Sequence, residues 1–385
     1  MTDRLGAVLA GAVPRVCPAA VALIAVDGSV AAAAATGELV RYADAEGTLA
    51  AERPPAGLDS IFDLASISKL FTTAVLLSLA EEGAIGLDEP VAAWIPGHDP
   101  RITPRRLLTH TAGLPPTRRI DLELPGSDAS ERMEAMLGTP IAHPVGGPYL
   151  YSDVGLVIAG RVAELAGGAP LDALVRARVT DVLGLADTGY RPAAPSRAPA
   201  QVPLPAQVPA PARAPVPTRV PVLSRVAATE WKPERPGPGC VRGEVHDETA
   251  YALGGVAGHA GLFATAGDLL AFGEALRLAA LGHGGGVLRP ESVAEMVRDQ
   301  GAEGAAFRHG LGVRIGDPAI VGPLSGAFGH SGFTGTSLVV DPARGLTVVL
   351  LTNAVHPVRG RDGIRELRHA VAGEALRLRG LAALT

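Results

Sequence analysis

Phe62-Asp63-Leu64-Ala65-Ser66-Ile67-Ser68-Lys69-Leu70 places a serine and a lysine three residues apart at the mouth of an apolar run. Leu70, Ala74, Val75, Leu77 and Leu79 continue that run at helical spacing, and Glu81-Glu82-Gly83 ends it. Residues i and i+3 of a helix share a face, so Lys69 reaches the Ser66 hydroxyl. A serine attacks well only when a neighbour removes its proton, and a lysine does so only as a neutral amine. Burial and the positive end of the helix dipole both disfavour the ammonium, so Ser66 reads as a nucleophile and Lys69 as its base. The same helix start can aim backbone N–H groups at an oxyanion. Standing alone, Ser-x-x-Lys also fits a simple N-cap. Composition favours the chemical reading: Lys69 and Lys232 are the only lysines of a chain that otherwise uses arginine, which does not give up its proton.

The 385 residues hold material for two or three domains, and 47% are hydrophobic, as in a well-cored globular protein. A net charge of −5 with scattered basic residues leaves no nucleic-acid footprint. The apolar run Ala7 to Val13 is cut short by Pro14, Arg15 and Cys17, which is unlike a signal core, and no run is long enough to span a bilayer. A cytoplasmic protein acting on a small molecule is expected. Cys17 and Cys240 are too few for a disulfide framework. His110, His246 and His259 lack metal-ligand spacing and read as structural, and Asp247 and Glu248 read as loop caps, so neither metal nor cofactor is expected.

Outward from the serine, Ala19 to Val26 and Ser29 to Ala35 are β-like runs around Asp27-Gly28, a hairpin signal, so the chain is expected to open on antiparallel strands. Thr103 and Pro104 start a short helix, and Val154 to about Ala166 and Leu171 to Leu183 read as two more. Pro192 to Pro221, with proline at about every third position, suits an extended surface spacer. Thr265 opens a helix to about Leu281, and Pro290 to Met296 a short one. Strands return at Gly310 to Ile315, Thr336 to Val340 and Thr347 to Leu351, before an amphipathic helix over Arg365 to Leu378. This order predicts an α/β region with an antiparallel sheet from residues 1–60 and 300–385. A mainly helical region, 61–299, is inserted between, carrying Ser66, Tyr151 and the 192–221 insertion, with the active site at the junction.

Ser66-Ile67-Ser68-Lys69, Tyr151-Ser152-Asp153 and His330-Ser331-Gly332, in that order, resemble the serine β-lactamase and penicillin-binding protein superfamily, and most of all its class C β-lactamase-like branch of esterases, D,D-peptidases and acyltransferases. Leu107 to Leu114 and Gly258 to Phe263 look like that branch as well. The resemblance implies a β-lactamase/transpeptidase-like fold and an acyl-enzyme on Ser66, with Lys69 as base or proton partner. It implies that Tyr151 shuttles a proton to the leaving group, that Ser66 and Phe333 supply the oxyanion N–H groups beside Gly332, and that His330 and Ser331 face the substrate. Asp153 stands where the pattern has asparagine and could pair with Lys69. His330 stands where it has lysine, which weakens recognition of a substrate carboxylate.

The expected activity is therefore hydrolysis of a small ester or amide through an acyl-serine. A transacylase and a non-turnover penicillin-binding or sensor domain are the alternatives. Gly329-His330-Ser331-Gly332-Phe333 nearly spells the nucleophile elbow of an α/β-hydrolase, but Phe333 replaces its last glycine and strand-like sequence follows.

Overall fold

The computed structural model describes residues 4–192, 222–237, 239–284 and 286–382. It begins with helix α1 (Arg4–Ala12), followed by strands β1 (Ala19–Val26), β2 (Ser29–Gly37) and β3 (Phe62–Asp63). Next come α2 (Ser68–Glu81), α3 (Pro104–Leu108), α4 (Ile120–Glu123), α5 (Ala129–Leu137), α6 (Asp153–Gly167), α7 (Leu171–Val175) and α8 (Asp181–Leu183). Strand β4 (Gly189–Tyr190), α9 (Glu248–Ala252), β5 (Leu262–Ala264), α10 (Ala266–Ala280) and α11 (Pro290–Val297) lead back to the sheet. The chain closes with β6 (Arg308–His309), β7 (Arg314–Ile315), α12 (Pro318–Val321), β8 (Phe328–Ser331), β9 (Ser337–Asp341), β10 (Leu346–Thr352) and α13 (Ile364–Ala382).

Seven strands form one sheet in the order β2-β1-β10-β9-β8-β7-β6, antiparallel throughout. Its two sources are the two chain ends, as expected. The β1–β2 hairpin turns at Asp27 and Gly28, both at positive φ, which the twist of a two-residue hairpin demands. Val21 and Leu23 of β1 face one core, while Ala22 and Ile24 face the other. That alternation explains why β1 and β10 read as unbroken apolar runs: α10 covers one face and α1 with α13 the other. Each fully buried leucine or valine there contributes roughly 1.5–3 kcal/mol.

Two expectations change. The chain opens on a helix rather than a strand, because Leu5, Leu9 and Ala12 recur on one face of α1 and bury it against the sheet. The boundary at 299 also fails to follow packing. Helix α10 lies on β9, β10 and β1, so it belongs with the sheet. The proposed spacer 192–221 lies, apart from Pro192, outside the described residues.

Among the described residues no single helix is long and apolar enough to cross a membrane. Helices α6 and α7–α8, bent by 75°, would pass that test only as a pair, and most of their apolar residues are buried in the core.

Candidate active site

Strand β3 delivers the chain to a short 3₁₀ turn, Ala65–Ile67, and α2 begins immediately after it at Ser68. Helix α2 is buried on every side from Ser68 to Leu79, which fits its apolar composition all round. Ser66 therefore sits half-buried on a tight turn against a rigid helix, with Lys69 one turn further in and fully buried. Ala65 holds φ +47, a left-handed conformation that costs an alanine roughly 1–2 kcal/mol. The surroundings impose it. Asp63 accepts from Ala65 N at 2.8 Å and from His246 N at 2.7 Å, while Thr334 and Thr336 donate to the carbonyls of Asp63 and Leu64. Asp63 is itself buried, and burial raises its carboxyl above the usual range even though both N–H donors favour the anion. It stood inside the opening stretch of sequence, but nothing local marked it as the anchor of the serine turn.

Lys69 Nζ donates to Ser66 Oγ at 2.8 Å and to the His259 carbonyl at 3.2 Å, and stands 2.8 Å from Asp153 Oδ1. The Tyr151 hydroxyl donates to Ser66 Oγ at 3.1 Å. Three residues from two parts of the sequence thus meet at one hydroxyl, and Asp153 and the His259 carbonyl hold the lysine behind it. The expectation of a neutral lysine is corrected. Burial is the largest single influence and does disfavour the ammonium, but attraction to Asp153, then to Tyr151, outweighs it and raises the Lys69 pKa. Held as an ammonium, Lys69 can stabilise and position, but it cannot accept the serine proton. The other side chain within hydrogen-bond distance of Ser66 Oγ is Tyr151.

Tyr151 lies between cations and rings. Lys69 Nζ is 4.9 Å and the Arg314 guanidinium 5.1 Å from its ring centroid, and the His110 ring is 4.6 Å away. His110 Nδ1 accepts from Ser152 N at 3.0 Å, so the Leu107–Leu114 segment orients the tyrosine. Arg314 on β7 bonds to Asp317 and was not legible in the sequence, since only the pairing of β7 with β8 brings it to the site.

The end of β8 arrives from the opposite side. A side chain at Gly332 would lie 2.4 Å from the Leu64 carbonyl and 2.1 Å from Thr336 Oγ1, so the glycine lets the turn after β8 close directly on the serine turn. Phe333, next along, is 61% exposed and flanked by His246 and Arg359 at 5.8 and 5.4 Å. Ser331 is half-buried at the strand end. His330 is 2% exposed, donates from Nδ1 to the Ser331 carbonyl and has its ring 6.2 Å from that of Tyr151. Burial, with the nearby charges of Lys69 and Arg314, holds its pKa well below the usual value, so it is a neutral imidazole.

His246 and His259 are each tied to a carboxylate, Glu230 and Asp247, at 3.0 and 2.9 Å. Asp247 caps α9 through Ala250 N, as expected of a loop cap, while Glu248 pairs with Lys232 and Arg359.

A serine hydroxyl bracketed by an ammonium and a phenol, at the junction of an antiparallel sheet and a helical region, defines a serine hydrolase that works through an acyl-serine. The family model described as Beta-lactamase matches residues 12–372, and the chain belongs to that family. It is 30% identical over 358 residues to the "Putative D-alanyl-D-alanine carboxypeptidase" of Escherichia coli (strain K12), covering 87% of this chain and 78% of that one. Its structure is similar to that of EstCE1, a hydrolase with promiscuous acyltransferase activity, with 25% identity, a TM-score of 0.69, and coverage of 96% of this chain and 98% of that one. A penicillin-binding protein homologue from Caulobacter crescentus, 19% identical with a TM-score of 0.65 over 96% of both chains, shares the fold.

Proposed function

We propose that Ser66 is the nucleophile, Tyr151 its proton acceptor and Lys69 the cation that stabilises both, in the cleavage of a small amide or ester. The observation that carries this is the pair of contacts at Ser66 Oγ, 2.8 Å to Lys69 Nζ and 3.1 Å to the Tyr151 hydroxyl. With the phenol's own proton first given up to solvent, Ser66 Oγ attacks the carbonyl carbon while its proton moves to the Tyr151 phenolate oxygen. Collapse of the tetrahedral intermediate breaks the bond to the leaving group, which takes that proton. Water then attacks the acyl-serine, gives a proton to Tyr151 and releases the acid as Ser66 regains its hydrogen. The N–H groups of Ser66 and Phe333 receive the developing oxyanion, a reading supported by the closure of Gly332 on Leu64.

Two features support a peptidase-type substrate with a carboxylate on its leaving group. Relatives about 30% identical are named for D-alanyl-D-alanine carboxypeptidase activity. Arg314 places a cation beside Tyr151 where the neutral His330 offers none, and its Nε has no hydrogen-bond partner among the described residues. Transfer of the acyl group to an amine or alcohol is the second reading, favoured by the likeness to EstCE1.

The test compares wild type with Ser66→Ala on p-nitrophenyl acetate and on a D-alanyl-D-alanine-terminated peptide, with intact-mass detection of the acyl-enzyme. The variant is expected to lose about 10³-fold or more in kcat on any substrate that wild type cleaves, and to form no adduct. Equal activity of the two proteins would remove Ser66 from the mechanism.

A further inference from the structure

A pocket of about 200 Å³ opens beside Asp153, with Asp247, Glu248, His259, Arg119 and Arg359 among the residues lining it. It adjoins the candidate active site through Asp153, the carboxylate 2.8 Å from Lys69 Nζ. The outer charges are already matched. Arg119 is spent on Asp121, Arg359 on Glu230 and Glu248, and Glu248 also on Lys232. On the inner wall, Asp153 is matched by Lys69 behind it.

Asp247 differs from these. Its Oδ1 takes the His259 ring and the Ala250 N–H, whereas its Oδ2 has no hydrogen bond, and no arginine or lysine ion-pairs with it, among the described residues. His259 is 1% exposed, and its Nδ1 is buried without a partner among the described residues. With Nε2–H given to Asp247, Nδ1 carries a lone pair. The pocket wall thus offers a carboxylate oxygen with no protein partner, and His259, bonded to the same carboxylate, adds a buried imidazole lone pair that is costly to leave unmatched. A ligand group that is cationic and rich in N–H donors would satisfy both. The small volume leaves room for little beyond it.

We propose that this pocket is the acyl-side specificity site and that it receives a free ammonium, so that the acyl group transferred to Ser66 is a small α-aminoacyl group with an unblocked amine. Asp247 and His259 hold the ammonium, Asp153 adds its field, and the carbonyl of the same residue lies against Ser66. Amino acid esters, amides and dipeptides are then substrates, and N-acylated peptides are poor ones. The inference rests on Ser66 as the nucleophile.

The experiment measures kcat/KM of the full-length enzyme for alanine methyl ester and N-acetyl-alanine methyl ester, each as both enantiomers, with p-nitrophenyl acetate as a reference for the chemistry. The members of each pair differ in the ammonium. Wild type is expected to favour the free amine by about 10- to 100-fold in the enantiomer it accepts. Asp247→Asn, which retains a capping side chain for α9, is expected to bring that ratio down toward one. Equal turnover, preference for the acetylated ester, or no turnover of either while p-nitrophenyl acetate is cleaved overturns the inference and leaves the Ser66 assignment standing. An Asp247→Asn enzyme that is active with an unchanged ratio also overturns it. If wild type cleaves neither ester nor p-nitrophenyl acetate and Ser66 takes no adduct, the proposed function fails and the inference with it.

Discussion

Asp153 Oδ1 lies 2.8 Å from Lys69 Nζ, and this pair, together with Tyr151, outweighs burial and keeps the lysine charged. Removing the carboxylate leaves burial as the main influence, which favours the neutral amine. Asp153→Asn is therefore expected to lower kcat/KM by about 10²-fold, the scale of a lost acid–base partner. The alkaline limb of its pH profile should move to lower pH, because the lysine loses its proton sooner. The sign also holds for stability. The raised pKa of Lys69 contributes stability below the unfolded value of about 10.4, and this is lost as pH rises through the folded value. A pH–rate profile superimposable on that of wild type would show that Asp153 does not set the charge of Lys69.

Gly332 and Gly373 make a matched pair. A Cβ on Gly332 would fall 2.1 Å from Thr336 Oγ1 and 2.4 Å from the Leu64 carbonyl, whereas one on Gly373, within α13, meets nothing within 4 Å. Gly332→Ala is expected to cost about 1–3 kcal/mol and to reduce kcat, since the clash pushes the Phe333 amide away from Ser66. Gly373→Ala should be neutral or stabilising by up to about 1 kcal/mol. Thermal unfolding of both variants beside wild type reads the difference, and equal melting temperatures would contradict the close approach.

Acid should destabilise the fold through two histidines. His356 donates from Nδ1 to the Thr229 carbonyl at 2.8 Å and accepts at Nε2 from Arg41 N and Tyr42 N at 3.0 Å each, so a proton on Nε2 would end both of those bonds. Burial pushes both His356 and His309 down to about 4. A depressed histidine is stabilising above its unfolded value of about 6.5, and that stability drains away as pH falls toward the folded value. Each group accounts for at most about 3 kcal/mol. The melting temperature should drop steadily from pH 7 to pH 4, and His356→Gln should show a shallower drop. A flat profile over that range would rule out both groups.

Local chemistry made much of this protein legible in its sequence. The Asp27-Gly28 turn, the Thr103 and Thr265 caps and the apolar runs of β1 and β10 follow from short-range sterics and periodicity, and the structure has them where expected. The Ser66 to Lys69 spacing falls in the same class, because one helical turn sets it. Helix α1 escaped because nine mostly small apolar residues carry little pattern until the sheet beneath them is known. The placing of α10 escaped for a similar reason, since chain order does not say which layer a helix covers.

Chain contacts over long separations decided the rest. Sequence alone determined that a serine and a lysine share a helical face, since bond geometry within one turn suffices for that. It could not determine the lysine's charge, which depends on Asp153 and Tyr151 brought from more than eighty residues away, nor the neutrality of His330, which depends on burial. Arg314, Asp63 and the Asp247–His259 pair reached the site through strand pairing and loop packing. Electrostatics acts through space in a medium that only the folded chain creates, so the character of these groups belongs to the tertiary structure.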